Sequence, residues 1–254
     1  MMQSFKDNES SHDHSLSTLN VLNEYDSFMS SVDTVLDLGS GSGADAIWWA
    51  TRRDPSPPHV PRNYNVIAVD NNLKNLSKPA KSLSNITVID DDFDNPDIIK
   101  ADSVDIVWAH NSFQYSKNPL QLLCSIKNWL TDNGMLYVSL PYSVNRMYNS
   151  FSGSAVSGAY FHYTPSNMLY MLAAAGFDCS DSRLAVKHNP MHFEIVAYNQ
   201  KSTVCEFNQT VYDLHSSGLL PKSAITSIDQ YGYINDLVLE GHWFDGRIYL
   251  FNKL

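Results

Sequence analysis

A glycine-rich segment near the start of the chain combines residue types that can wrap a small ligand. The run VLDLGSGSG, residues 35–43, places Gly39, Gly41 and Gly43 directly after an apolar stretch. Glycines let the backbone turn sharply and approach a ligand, because no Cβ stands in the way. Residues 39–44 also match the GxGxxA spacing of a dinucleotide-binding loop, so the loop alone leaves the ligand open.

Polar residues also follow three later apolar runs. They are Asp70 at the end of NVIAVD, residues 91–93 after ITVID, and the pair His110-Asn111 after DIVWA. A carboxylate at a strand end can accept both hydrogen bonds of a ribose diol, and open α/β sheets bind ligands at the carboxyl ends of their strands. The spacing therefore predicts one ligand site shared by several strands.

The elements that must position these residues alternate along the chain. Apolar runs typical of buried strands cover 32–38, 65–70, 86–90, 105–109 and 135–140. Helical patterns cover 44–53, 73–83 and 119–130, and Asp45 in the first helical turn suits the helix dipole. This alternation predicts an α/β fold in which helices wind a parallel sheet.

The segments after residue 130 are expected to close the sheet. A turn is predicted at Asn133-Gly134, before the fifth strand. A helix is predicted from a Thr164 N-cap to residue 175, with Gly176 ending it. Two last strands, 177–186 and 193–198, are predicted to form a hairpin.

Composition divides the chain into three parts. Residues 1–31 are a polar tail and a helical pattern, 32–200 carry the α/β core, and 201–254 form a C-terminal extension. Within the core, the proline-rich segment 54–63 is expected to be a loop, and 142–163 suit a lid. The extension is expected to end in a hairpin with a turn at Asp245-Gly246.

Composition also limits which classes of binding partner and which cellular location are expected. With 17 Lys and Arg against 27 Asp and Glu, the net charge is −10, which disfavours nucleic acid and anionic membranes. No run of 18 apolar residues and no signal-peptide core occur, so a cytoplasmic location is expected. The cysteines Cys124, Cys179 and Cys205 show no paired spacing and are expected to be buried, reduced thiols. No metal site is expected, since His188 and His192 lack a convincing metal pattern.

Taken together, these segments resemble the class I S-adenosylmethionine-dependent methyltransferase family, in its small-molecule branch. The matching pieces, in the order of the family, are VLDLGSGSG (35–43), VIAVDNN (66–72), ITVIDDDF (86–93), VDIVWAHNSFQYSKNP (104–119), LTDNGMLYVSLP (130–141) and YTPSNMLYMLAAAGF (163–177). A nicotinamide-binding protein would match the first piece and not the later ones. The resemblance implies a Rossmann-like, seven-stranded, mostly parallel sheet with helices on both faces.

The resemblance also implies which residues bind S-adenosylmethionine. Gly39, Gly41 and Gly43, with Ser40, would wrap the methionine and ribose portions. Asp37 would orient the loop or the methionine amino group.

Further positions would bind the nucleoside and the reacting end. Asp70 would bind the ribose hydroxyls, and Asn71 would lie beside the adenine. An acidic residue, Asp91 or Asp92, would hold the adenine together with Phe93, and the run of acids at 90–92 leaves the choice open. The residues expected near the methionine and the transferring methyl are His110 and Asn111.

The implied reaction is an in-line displacement of the methyl group from the sulfonium. The protein aligns the acceptor and excludes water, and a general base is needed only if the acceptor must lose a proton. His110 and Tyr115 are the candidates for that role. Residues 110–113 read HNSF rather than the Asp/Asn-Pro-Pro-Tyr of amino-group nucleic-acid enzymes, which argues against adenine-N6 methylation.

The expected acceptor is a small molecule, and three alternatives stay open. The acceptor could be a protein or a nucleotide, or the chain could bind the cofactor without catalysis as a partner or sensor. An oxidoreductase using a nicotinamide cofactor is the third. A homodimer through the aromatic residues of 201–254 is a further hypothesis.

Overall fold

The structure is a computed structural model. It describes residues 29, 31–52, 64–141, 159–161, 163–180, 183–188, 191–221 and 248–250. The expected N-terminal tail and most of its helix, the proline-rich loop, most of the 142–163 segment and the turn at Asp245-Gly246 lie outside these residues.

The described strands and helices follow the predicted alternation. The strands are β1 Thr34–Leu38, β2 Asn65–Asp70, β3 Ile86–Asp90, β4 Val104–His110, β5 Leu130–Pro141, β6 Phe177–Asp178, β7 Arg183–His188, β8 Met191–Asn199 and β9 Ile248–Leu250. The helices are α1 Ala44–Thr51, α2 Lys78–Ser82, α3 Pro119–Trp129, α4 Pro165–Ala174 and α5 Val211–Ser216, with a 3-10 turn at Phe113–Tyr115. No helix among the described residues is long and apolar enough to cross a membrane.

The strands form one mixed sheet. Its order is β3-β2-β1-β4-β5-β8-β7-β9, and the two-residue β6 pairs with β8. Strands β1 to β5 run parallel, whereas β8 is antiparallel to β5 and β7 is antiparallel to β8. The predicted Rossmann-like sheet of seven main strands is confirmed, and the short β6 and β9 add to it.

Successive side chains along the strands point to opposite faces of the sheet, and each face has its own hydrophobic cluster. In β4, Val107 and Ala109 join one cluster and Ile106 and Trp108 join the other. Helices α3 and α4 pack on the first face, while α1 covers the second with the fully buried Trp49. Helices therefore lie on both faces, and all the parallel strands present their carboxyl ends at one edge.

Two local predictions need correction. The helix predicted over 73–83 is confined to Lys78–Ser82, because Pro79 has no N–H to donate and fits only a first helical turn. The turn predicted at Asn133-Gly134 is instead an irregularity inside β5, where the pairing with β4 jumps from Leu130 to Met135. Asn133 has a φ of 61°, so the turn-forming residues make a bulge and not a chain reversal.

The expected single strand 177–186 is also divided. It forms β6 and β7, while the predicted hairpin of β7 and β8 is confirmed. The helix that precedes it begins as predicted, since the Thr164 side chain and Asn167 form a reciprocal capping box.

The expectation of three reduced cysteines is wrong for two of them. Cys124 in α3 and Cys205 form a disulfide with a Cα–Cα distance of 5.9 Å, whereas Cys179 is buried and takes no part in this disulfide. One helical turn along α3, the three N–H groups of the Lys127 ammonium are shared among four oxygen atoms within 3.0 Å, Gly176 O, Asn199 Oδ1, Gln200 O and Thr203 Oγ1. Packing brings the two cysteines together across 81 residues, a separation that leaves no local spacing to find.

Reducing this disulfide should destabilise the protein. A cross-link between residues 81 apart restricts the conformations of the unfolded chain, and the loop-closure model gives this effect an upper value of about 4.5 kcal/mol. Denaturant unfolding with and without dithiothreitol measures the difference, and the Cys124→Ser/Cys205→Ser variant should be insensitive to the reductant. Mass spectrometry that found both thiols free in the unreduced protein would contradict the assignment.

Candidate functional site

The glycine loop between β1 and α1 is held against the end of β2. The amides of Gly39 and Ser40 donate to Val69 O at 2.9 and 3.0 Å. The amide of Gly41 donates to Asp70 Oδ2 at 2.8 Å, and the other oxygen of this carboxylate accepts from Asn72 N at 2.8 Å. Three successive loop amides are therefore already bonded, which leaves few N–H groups for an anionic ligand.

Glycine is required in this loop for two different reasons. Gly39, Gly41 and Gly43 have φ values of 75°, 52° and 76°, a region that side-chain-bearing residues rarely adopt. A Cβ on Gly39 would lie 2.4 Å from Ser112 Cβ, so the loop packs directly on the segment that follows β4. A Cβ on Gly41 would meet nothing within 4 Å, so this part of the loop borders open space.

The side chain of Asp37, in β1, is a buried carboxyl group that faces the first turn of α1. Asp37 is 2% exposed and accepts a hydrogen bond from the amide of Ala46, and among the described residues its Oδ2 atom has no hydrogen-bond partner. Burial, reinforced by the negative charges of Asp45 and Asp70, raises the pKa of Asp37 well above its ordinary value. The carboxyl therefore retains a proton to a higher pH than an exposed aspartate would.

His110, at the end of β4, is paired with Asp45. Its Nδ1 atom lies 2.7 Å from Asp45 Oδ2, and both side chains are largely buried. The sequence indicated only that Asp45 suits the dipole of α1, so this partner was missed. The contact links the helix that follows the glycine loop to the strand end where the resemblance places the transferring methyl.

The segment after β4 carries further polar atoms towards the loop. Asn111 has a φ of 56°, and its amide donates to Ser139 O. Its Oδ1 atom and Ser112 Oγ are buried and find no hydrogen-bond partner in the part of the chain that the structure describes. The amides of Tyr160 and Phe161 both donate to Gln114 O, so exposed aromatic side chains border this segment. Tyr115, one of the two predicted base candidates, packs in part against the hydrophobic core.

Asp91 and Asp92, two of the three residues predicted to hold adenine, differ in their hydrogen-bond partners. Asp92 forms an ion pair with Lys117 and accepts from Asp94 N, and the Lys117 hydrogen bond lowers the pKa of Asp92. Asp91 accepts only from groups of its own turn, Asp92 N at 2.7 Å and Asn95 Nδ2 at 3.2 Å.

The remaining predicted residues lie around the loop. Phe93 is buried, and its ring lies 3.6 Å from the position of a Cβ on Gly39. Ser40 is 8% exposed with a partnerless Oγ, and Asn71 is exposed beside Asp70. Residues from β1, β2, β3 and β4 thus meet at one edge of the sheet, as the sequence predicted.

The raised pKa of Asp37 should make its effect on stability depend on pH. A group whose folded pKa exceeds its unfolded pKa stabilises the fold below the unfolded value, and this contribution is lost as the pH rises through the folded value. The isosteric variant Asp37→Asn should therefore gain stability relative to wild type between pH 5 and pH 8. Denaturant unfolding at both pH values measures the difference. A pH-independent difference between the two proteins would contradict the raised pKa.

A family model described as a methyltransferase domain matches residues 29–176, which is more than half of the chain. No curated protein matches the chain.

Solved structures show the same fold at low identity. A chain of the complex between the Haloferax volcanii Trm112 methyltransferase activator and a candidate methyltransferase superposes with a TM-score of 0.54 at 16% identity, covering 70% of this chain and 89% of the other. A SAM-dependent methyltransferase from Archaeoglobus fulgidus gives 0.53 at 14% identity, with 70% and 91% covered. A candidate methyltransferase from Bacillus halodurans gives 0.53 at 14%, with 67% and 94% covered. The protein belongs to the methyltransferase domain family.

Proposed function

We propose that the edge formed by β1, β2 and β4 binds S-adenosylmethionine and that the enzyme transfers its methyl group to a small molecule. One observation carries the cofactor assignment. The loop amides of residues 39–41 are bonded to the end of β2, and the carboxyl groups of Asp37, Asp45 and Asp70 surround the loop. A dinucleotide diphosphate would meet few donors and much negative charge there, whereas a ligand with a sulfonium and an ammonium group is favoured.

The donor and acceptor chemistry of the site fits each part of this cofactor. The two Asp70 oxygens each accept one hydrogen bond, which leaves lone pairs for the ribose hydroxyls. The buried, partnerless Oδ2 of Asp37 suits the amino group. Asp91 is the better of the two acids for adenine, because Asp92 is engaged by Lys117.

The cofactor, when bound, supplies an electrophilic methyl group, so this chain mainly has to position and shield the acceptor. The 2.7 Å contact with Asp45 favours a proton on His110 Nδ1, which in the neutral ring leaves the lone pair on Nε2. His110 is thereby oriented to take a proton at Nε2 where the acceptor has one to lose. Tyr115 is the weaker candidate because its side chain packs in part against the core.

Two features support a small-molecule acceptor. The net charge of −10 disfavours polyanions, and the segment after β4 offers partnerless polar atoms bordered by the exposed rings of Tyr160 and Phe161. The cytoplasmic location and the homodimer through 201–254 stay predictions.

Calorimetric titration with S-adenosylhomocysteine tests the cofactor site. The protein should bind it saturably, and Asp70→Asn should weaken binding by about 1–3 kcal/mol, the cost of a lost hydrogen bond to a charged group. Asp97→Asn removes one exposed carboxylate outside the site and serves as the matched control. Binding of NADH without binding of S-adenosylhomocysteine would contradict the proposal.

A further inference from the structure

The carboxyl group of Asp37 has an environment that favours its neutral form. The groups that face it among the described residues are the Asp45 carboxylate and the Ala46 amide from α1 and the Asp70 carboxylate from β2. His110, from β4, lies against Asp45, with its Nδ1 atom 2.7 Å from Asp45 Oδ2. Asp37 is thus surrounded by negative charge, with one backbone amide as its donor.

The protonated form is also the one that the geometry accommodates without a ligand. An ionised Asp37 would leave Oδ2 as a buried charged atom with no donor, at 2% residue exposure. Burial of an uncompensated carboxylate is unfavourable, and two neighbouring carboxylates add to the penalty. A cation that reached Oδ2 would reverse this balance.

We propose that Asp37 exchanges its proton for the ammonium group of the cofactor, so that cofactor binding releases a proton and strengthens as the pH rises. The inference rests on the proposed function, because it requires that the cofactor amino group reaches Asp37. In the exchange the O–H bond of the carboxyl group breaks, the proton passes to solvent, and the carboxylate accepts an N–H from the incoming ammonium. No oxidant or other reactant takes part.

The consequence is a defined linkage between pH and affinity. Where Asp37 is protonated in the free protein and ionised in the complex, affinity rises up to about tenfold per pH unit, because one proton leaves per ligand bound. Once Asp37 ionises in the free protein as well, the dependence ends. Below pH 7 the amino group of the ligand keeps its own proton, since α-amino groups titrate near pH 8 or above.

The test is calorimetry of S-adenosylhomocysteine binding at pH 5.5, 6.0 and 6.5, in pairs of buffers with different ionisation enthalpies. The buffer dependence of the observed heat gives the number of protons released. We expect a measurable release, of at most one proton, for the wild type and for Asp97→Asn, and none for Asp37→Asn, whose amide mimics the neutral carboxyl. The ligand 5′-methylthioadenosine, which lacks the amino-acid portion, should bind without proton release.

Two further variants separate Asp37 from its neighbours. Asp45→Asn removes one of the negative charges that favour the protonated carboxyl, so it should lower the number of protons released at pH 6.5. Circular dichroism would show whether Asp37→Asn folds. If it does not, the lower proton release of Asp45→Asn still tests the role of Asp37. His110→Gln should leave the release in place.

The outcomes distinguish failure of the cofactor site from failure of the proton exchange at Asp37. If S-adenosylhomocysteine does not bind, the proposed function itself fails. If it binds without releasing a proton at any of these pH values, the cofactor site stands and the proton exchange is wrong. If the release persists in Asp37→Asn but disappears in His110→Gln, the imidazole is the proton donor, and the inference about Asp37 is overturned.

Discussion

The hydrogen bonds that tie the glycine loop to the end of β2 determine how the rest of the site is arranged. Val69 O accepts from two loop amides and Asp70 from a third, so the loop cannot move independently of the sheet. With the loop fixed there, α1 begins above Asp37 and brings Asp45 within 2.7 Å of His110. The packing of Gly39 on Ser112 then joins the same loop to the segment after β4.

This arrangement explains why a loop with dinucleotide-like spacing suits another ligand. In a phosphate-binding loop the backbone amides point at the ligand. Here the amides of residues 39–41 point at β2, and the carboxyl groups of Asp37, Asp45 and Asp70 lie around the loop. The glycine spacing is compatible with either kind of cofactor, and the negative charge around the loop favours a cationic cofactor over an anionic one.

Local patterns in the sequence were sufficient to predict the parallel strands β1 to β5 and the polar residues at their ends. The bounds of β2 and β3 agree with the apolar runs, because each is a short hydrophobic stretch ended by aspartate. The position of Asp70 at the end of β2 could be predicted because the aspartate directly follows the apolar run. The Asn133-Gly134 turn was misjudged because the same residue types also form bulges, and only pairing with β4 decides between the two.

Contacts between distant residues could not be predicted in this way. The pairs Asp45–His110 and Asp92–Lys117 are separated by 65 and 25 residues, and the disulfide by 81. Each depends on which elements become neighbours after folding, and a single sequence contains no spacing that marks such a pair. The environment of Asp37 was missed for the same reason, since its acidic neighbours, Asp45 and Asp70, come from two other elements, α1 and β2.

A crystal structure of the protein with S-adenosylhomocysteine would test the central claim most directly. The account predicts that the ribose hydroxyls bind Asp70 and that the amino group lies at Asp37, with the amides of residues 39–41 still bonded to β2. Density for the ligand at another part of the sheet would contradict the account. So would a complex in which those amides leave β2 to bind the ligand carboxylate.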